Sequence, residues 1–385
     1  IDRVSARGQW QEPLLVLQSL RVHATGAELE GQLRARPAEQ SGEGRLQLKL
    51  PGAQAQLQAD MAPTRGKGQL NTQLADLAAL QQWIERLPGL GKVFDDMALQ
   101  GNAALDARWT GGWQTLQQRL AAPDTPAARG IAEPTIKASL AVPRLALRQK
   151  KNGNGEPSWQ LRGVRAELDG SLARARLELD GEALSPAQQI TLKLQGSGGL
   201  ERTRQWRAEI ATLRAQLRPN TSSNPPAPWS LELQRPLAAT IRNSAGALQV
   251  EGSGGAATLG GPLPGSVRID WEPTRFSQSG PADKRAVRLQ SKGRMQGLPM
   301  AWTQALGPGT LRDMGVSDDL ILDGDWDIDA GDQLRAKVRL ARASGDIRVH
   351  AGEAALVRRL RSTGTGTASE ITTDAGASGR DSPGT

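Results

Sequence analysis

The chain contains no cysteine and no tyrosine, and only two phenylalanines and two histidines in 385 residues. Without cysteine there is no disulfide, no thiolate metal site and no cysteine nucleophile, which suits an oxidising envelope compartment as well as a reducing one. Aromatic residues make up 3% of the chain, and ten of them are tryptophan. Apolar positions are mostly Leu and Ala, so the interior is short of the bulky and β-branched side chains that close most sandwich cores. No apolar run approaches the roughly 20 residues that a membrane-spanning helix needs. The longest are short stretches such as Leu14 to Leu17. The chain opens at Ile1 without a signal-peptide pattern and closes in a polar stretch, and so reads as an internal segment of a longer, water-exposed protein.

What the chain has instead is a two-residue beat. From Leu99 to Trp109, the residues Leu99, Gly101, Ala103, Leu105, Ala107 and Trp109 fall on one side of an extended strand, with Gln100, Asn102, Asp106 and Arg108 on the other. The beat returns at Leu177 and Leu179, at Ile190, Leu192 and Leu194, at Ile269 and Trp271, at Leu322, Trp326 and Ile328, and at Leu334, Val338 and Leu340. One face is dry, the other wet. The 44 glycines and 23 prolines punctuate the chain as many short strands require. Asp169-Gly170, Asp180-Gly181, Gly196 to Gly199 and Gly252 to Gly255 read as hairpin turns. The fold expected is all-β, a long antiparallel meander curled into an open groove over residues 1–361. Two short helices interrupt it. Leu77, Leu80, Trp83, Ile84 and Leu87 trace one helical face over about 76–87, with Asp76 as N-cap and Pro88-Gly89 as the stop. A weaker pattern runs over about 299–306, with Pro299 in its first turn. Residues 362–385 carry hardly any large apolar side chain and are expected to form a disordered tail or linker.

Motifs that would carry chemistry are missing. His23 and His350 stand in no metal-binding spacing and read as surface positions on strands. There is no Gly-x-Ser-x-Gly elbow, and neither Gly-Ser-Gly-Gly is followed by Gly-Lys-Ser/Thr, so no serine hydrolase or phosphate cradle is indicated. The run Asp323 to Asp329 has Ala330 and Ala336 where a calcium loop beginning at Asp325 needs Gly and Glu. Its aspartates fit the wet face of a strand, with a weak calcium site as the alternative. The net charge of +8 and pI of about 10.2 permit an anionic partner, yet the arginines are scattered along wet faces. Trp109, Trp271 and Trp326 share the dry side with Leu and Ala, which argues against base stacking and hence against nucleic acid. No enzyme, metal or cofactor is expected.

Leu77-Ala-Ala-Leu-Gln-Gln-Trp-Ile-Glu-Arg-Leu-Pro-Gly-Leu-Gly91, continuing into Leu99-Gln-Gly-Asn-Ala and Ala107-Arg-Trp-Thr-Gly-Gly-Trp113, resembles the middle region of the TamB family. These are the inner-membrane-anchored subunits of the translocation and assembly module. Leu298-Pro-Met-Ala-Trp302 and Gly315 to Ile328 are similar to a second element of that family. The resemblance implies a β-groove of the AsmA-like, repeating-groove class in the periplasm of a Gram-negative bacterium, anchored to the inner membrane in the full-length protein. It also implies an Omp85-type barrel partner reached through a region absent here. Further implications are outer-membrane protein or autotransporter clients, and phospholipid moving between the membranes. The family's N-terminal anchor and C-terminal domain are not in this sequence.

Independently of that likeness, a strip of Leu and Ala takes up acyl chains at about 0.8 kcal/mol per buried CH₂. About 20 strands at about 4.8 Å each would extend such a strip to roughly 100 Å. The dry residues named above, Gly101 apart, are the candidate lipid lining. Two other readings stand beside it: a scaffold that pairs its strand edges with nascent outer-membrane strands, and a closed β-solenoid of the adhesin type.

Overall fold

In the computed structural model, residues 2–87, 90, 94, 96–121, 132–149, 159–202, 204–220, 227–244, 247–280, 286–302, 316–331, 333–349 and 369–372 are described. The chain divides into two units, residues 1–225 and 226–385. Both are built almost entirely of antiparallel strands.

In the first unit, strands form where apolar and polar residues alternate, because only an extended chain puts alternate side chains on opposite faces. They are β1 (Arg3–Gln11), β2 (Leu14–Ala24), β3 (Ala27–Arg36), β4 (Ser41–Leu50), β5 (Ala53–Met61), β6 (Gly66–Leu74), β7 (Met97–Thr110), β8 (Thr135–Gln149), β9 (Trp159–Ser171), β10 (Ala175–Leu184), β11 (Gln188–Arg202) and β12 (Gln205–Pro219). Each pairs antiparallel with the next in sequence, so the unit is an uninterrupted meander.

Two helices flank β7. Helix α1 (Leu77–Glu85) takes up most of the helix expected over 76–87, and Asp76 caps it by accepting from the N–H groups of Ala78 and Ala79 at 2.9 and 3.1 Å. Its Trp83 Nε1 donates to Thr25 O at 2.7 Å in the β2–β3 turn, and Asp76 N donates to Gly52 O at 2.9 Å in the β4–β5 turn. Helix α2 (Trp113–Ala121) has no counterpart in the sequence reading. The Gln114 and Thr115 N–H groups donate to Pro63 O in the β5–β6 turn, and Trp113 Nε1 reaches Gln40 O, just before β4, at 3.5 Å. Both helices are therefore tied to turns at strand ends.

The second unit contains β13 (Trp229–Leu233), β14 (Leu237–Ser244), β15 (Ala247–Gly252), β16 (Gly255–Gly260), β17 (Ser266–Trp271), β18 (Thr274–Ser279), β19 (Ala286–Pro299), β20 (Val316–Asp318), β21 (Ile321–Ala330), β22 (Leu334–Ser344), β23 (Ile347–Val349) and β24 (Ser369–Thr372). β19 pairs along one edge with both β17 and β18, and along the other with β21, which continues to β22. β16 and β15 pair in turn with β17 and β18, and β13 and β14 with β16 and β15. The chain therefore makes long strands interrupted at matching levels, at 234–236, 253–254 and 272–273. Pro236 and Pro273 sit in two of these breaks, where a residue without an N–H removes a ladder hydrogen bond. β20 and β23 form a separate pair.

Several sequence expectations change. Gly252 to Gly255 spans the interruption between β15 and β16 and is not a hairpin turn. Gly196 to Gly199 lies inside β11, Asp180-Gly181 inside β10, and Asp169-Gly170 inside β9. At Gly181 the register slips, and a β-carbon there would meet Val164 Cγ2 at 2.7 Å, so the glycine serves a bulge. Pro299 ends β19 opposite Ile321; Ala301 and Trp302 are helical, and the rest of the helix expected over 299–306 lies outside the described residues. Within 362–385, Ser369–Thr372 pairs with β22; the remainder lies outside the described residues, as does His350.

Candidate functional site

The strand registers gather the dry residues of the first unit into rows that cross the whole meander. One row runs Val4, Val22, Leu29, Leu48, Ala55, Thr72, Leu105, Leu140, Ala166, Leu179, Leu194, Leu213. Beside it runs a second, Ala6, Leu20, Gly31, Leu46, Leu57, Leu70, Ala107, Ala138, Leu168, Leu177, Gly196, Ile210. Thr72 is the one polar member of either. A third row holds Trp109 between Gly68 and Ile136 and is otherwise rich in Gly and Ala. Twelve strands at about 4.8 Å make each row roughly 50 Å long. Shorter rows flank these: Leu99 pairs with Leu147, Ala103 with Leu74, Ile190 with Ala183 and Leu217, and Leu192 with Gly181 and Ala215.

The second unit repeats the arrangement. Ile241, Val250, Phe276, Leu289, Ala330 and Leu334 form one row, and Leu233, Ala257, Ile269, Met295, Gly324 and Leu340 another. Between them, Gly255, Trp271, Gly293, Trp326 and Val338 alternate small and large. Ile328 stands beside Ser291 and Ala336, and Leu322 between Leu298 and Arg342, where the apolar surface gives way to charge.

None of the eighteen candidate lining residues is buried. Leu334 and Leu340 are 49% and 48% exposed, and Leu177 and Val338 are also exposed. Among the described residues the buried hydrophobic side chains are only seven: Val142, Ala146, Leu200, Ala256, Ala257, Val267 and Trp302. Among the described residues, no second sheet pairs over the rows of the first unit, whose half-burial comes from neighbours in the same sheet; in the second unit's rows the small residues Gly255 and Ala257 are buried.

The opposite face is polar and ion-paired. Two aspartates of β21 lie between bases on both neighbouring strands, Asp325 between Arg294 and Arg339 and Asp327 between Lys292 and Lys337, while Asp329 lies between Gln290 and Arg335. Arg288 donates to both oxygens of Asp329 at 3.2 and 2.9 Å, and together with Gln290 holds that carboxyl below its ordinary range. The hydrogen bond from Arg268 does the same to Asp270, aided by Arg235 and Arg294, and Asp327 raises Lys292. Asp323 Oδ1 accepts from Gly297 N at 2.8 Å. The run considered for calcium is thus occupied by ion pairs and a backbone contact, and no group of three or more candidate ligands is assembled among the described residues. His23 is on β2, its Nδ1 3.8 Å from Glu28. Shallow depressions on the molecule are lined mostly by these charged and polar groups, Glu272, Arg275, Lys292, Asp327 and Arg335 around one, and Asp169, Arg174 and Arg176 around another.

No family model, curated protein or solved structure matches the chain. The functional reading therefore rests on the face itself. The sequence reading missed the part played by glycines opposite tryptophans. A β-carbon on Gly68, Gly255 or Gly293 would overlap the ring of Trp109, Trp271 or Trp326 respectively, because each indole lies over the glycine on the adjacent strand. The signal was in the sequence only as scattered Gly and Trp; the register is what brings them together.

Proposed function

We propose that the apolar rows are a surface for phospholipid acyl chains, along which a lipid tail moves with its sheet-facing side out of water. The observation that carries the reading is the pair of twelve-strand rows with a single polar member and, among the described residues, no covering layer. Protein–protein interfaces carry about one hydrogen bond per 100–200 Å² and need directional partners. These rows offer almost none. A guest that repeats every methylene suits a surface that repeats every strand, and each CH₂ moved from water contributes about 0.8 kcal/mol. Sliding needs no catalytic residue, because successive strands present equivalent contacts and so no deep trap.

On this reading and the TamB-like phrases together, the chain is a periplasmic segment of an envelope protein that passes phospholipid between the two membranes and supports outer-membrane protein and autotransporter assembly. An Omp85-type barrel is its partner through another region. Photo-crosslinking residues at Leu105, Leu192 and Trp326, in the chain expressed in a Gram-negative envelope, test the proposal. Phospholipid adducts at all three support it. Protein adducts at those positions, or no adducts, overturn it; protein adducts at strand edges would favour the strand-pairing scaffold.

A further inference from the structure

We infer that Gly68, Gly255 and Gly293 determine the clearance over the apolar face by holding three indoles flat. This rests on the acyl-chain reading. Trp109 of β7 lies over Gly68 of β6, Trp271 of β17 over Gly255 of β16, and Trp326 of β21 over Gly293 of β19. Each ring covers a position on the adjacent strand that has no side chain, the arrangement by which aromatics shield sheet glycines. Two of these pairs stand in one row, so the rings tile four successive strands from β16 to β21.

Two of the indole donors are already occupied. Trp109 Nε1 donates to Met61 Sδ at 3.4 Å and Trp326 Nε1 to Ser291 Oγ at 3.2 Å. An acyl chain crossing Trp109 or Trp326 therefore meets a flat aromatic face with its N–H already satisfied. Upright, the same rings would stand as posts in the path, since side chains on a strand project roughly perpendicular to the sheet. A β-carbon at Gly68 or Gly293 occupies the space of the flat ring and leaves it only the upright position. The glycines are positioning residues that act through the tryptophans, and the guest they admit is an extended acyl chain lying close against the sheet.

The test uses the purified chain with phosphatidylcholine vesicles whose acyl chains are brominated, reading quenching of tryptophan fluorescence and the phospholipid retained after gel filtration. In Gly68→Ala and Gly293→Ala, retention should fall roughly tenfold, the equivalent of about two lost methylene contacts. The single Trp109→Ala and Trp326→Ala variants give the cost of losing the lining ring alone. Adding Trp109→Ala to Gly68→Ala, or Trp326→Ala to Gly293→Ala, should bring retention to the level of the matching tryptophan single variant, because with no ring present the added β-carbon has nothing to displace. If the glycine variants retain lipid like the parent chain, or the glycine change lowers retention as much without the ring as with it, the clearance role is overturned. If the parent chain itself is neither quenched nor loaded, the acyl-chain reading fails first.

Discussion

The side-chain amide of Gln81 completes the β-ladder beside Leu99: its Oε1 accepts from Leu99 N at 2.6 Å, and its Nε2 donates to Met97 O at 2.8 Å. β6 ends at Leu74, opposite Ala103, so the first residues of β7 have no strand on that side. A glutamine carries one donor and one acceptor group in peptide-like spacing and can satisfy both backbone groups at once. Helix α1 thereby blunts an edge that would otherwise invite pairing.

Gln81 is 5% exposed, so its loss leaves backbone groups unpaired away from water. Gln81→Leu should destabilise the first unit by about 1–3 kcal/mol. Hydrogen exchange should show the Leu99 amide opening much faster while amides of β10 and β11 are unchanged. Gln81→Glu keeps the acceptor but loses the donor to Met97, and should fall between the two. Equal protection of Leu99 in all three proteins would contradict the edge-capping role.

Acid should loosen the second unit through its charged ladder. Asp270 and Asp329 have carboxyls held below their ordinary range by Arg268 and Arg288. A depressed folded-state value means the ion pair contributes stability above the unfolded carboxylate range and loses it as pH falls through the folded value. Arg268 and Lys292 are raised, so their contribution is complete below their unfolded values and fades only at strongly alkaline pH. Melting followed by circular dichroism between pH 7 and about 2 should therefore show a downward slope that Asp270→Asn and Asp329→Asn each flatten. Because the bases are exposed and the two aspartates about a third exposed, salt should shrink the effect. A parent slope identical to that of both variants would rule the ladder out as its source.

How much of this was legible follows from the spacing of apolar residues. β7 stands out because Leu99 to Trp109 keeps one phase throughout, and α1 because Asp76 and the 3–4 spacing agree. β12 reads as two strands because Ala211 is an extra residue opposite the Gln195–Gly196 step, and a bulge shifts the phase of every side chain beyond it. β6, with Asn71, Thr72 and Gln73, and β16, starting Gly-Ala-Ala, carry too little large apolar surface to show a beat; pairing with their neighbours decides them. Helix α2 had a signal in Trp113, Leu116 and Leu120 after Gly111-Gly112, obscured by the strands around it. The Trp–Gly pairs could not be read, since partners 16 to 41 residues apart, such as Trp109 with Gly68, meet only once the register between their two strands is fixed.

Helix α1 is seated by Gly52. That residue has φ +75°, its carbonyl accepts from Asp76 N at 2.9 Å, and a β-carbon there would overlap the Asp76 carbonyl oxygen. Gly52→Ala faces both the left-handed backbone and the collision, and should destabilise by more than about 1 kcal/mol. Asp76→Ala removes the cap and should cost about 0.5–2 kcal/mol. Both changes should expose Trp83, seen as a red shift of its emission in a background where the other tryptophans are phenylalanine. An unshifted Trp83 would show that the helix is held by something other than this turn.

The last contrast separates an uncovered face from a filled interior. Leu200 is 4% exposed, whereas Leu105 stands only half-buried in the central row with Leu140 and Thr72 on either side. Removing buried leucine atoms loses both transfer energy and packing, so Leu200→Ala should destabilise by about 2–5 kcal/mol. Leu105→Ala should cost clearly less, since Leu105 is only half-buried and no layer of described residues lies above it to leave a cavity. A charge sharpens the difference. Leu105→Glu should leave the protein folded, because the carboxylate can reach water over the open face, yet it should abolish lipid retention by placing a hydrated group in the path. Leu200→Glu should unfold the first unit. If urea titration finds Leu105→Ala as damaging as Leu200→Ala, then something covers the central row, and a surface sealed by its own polypeptide cannot carry a lipid tail.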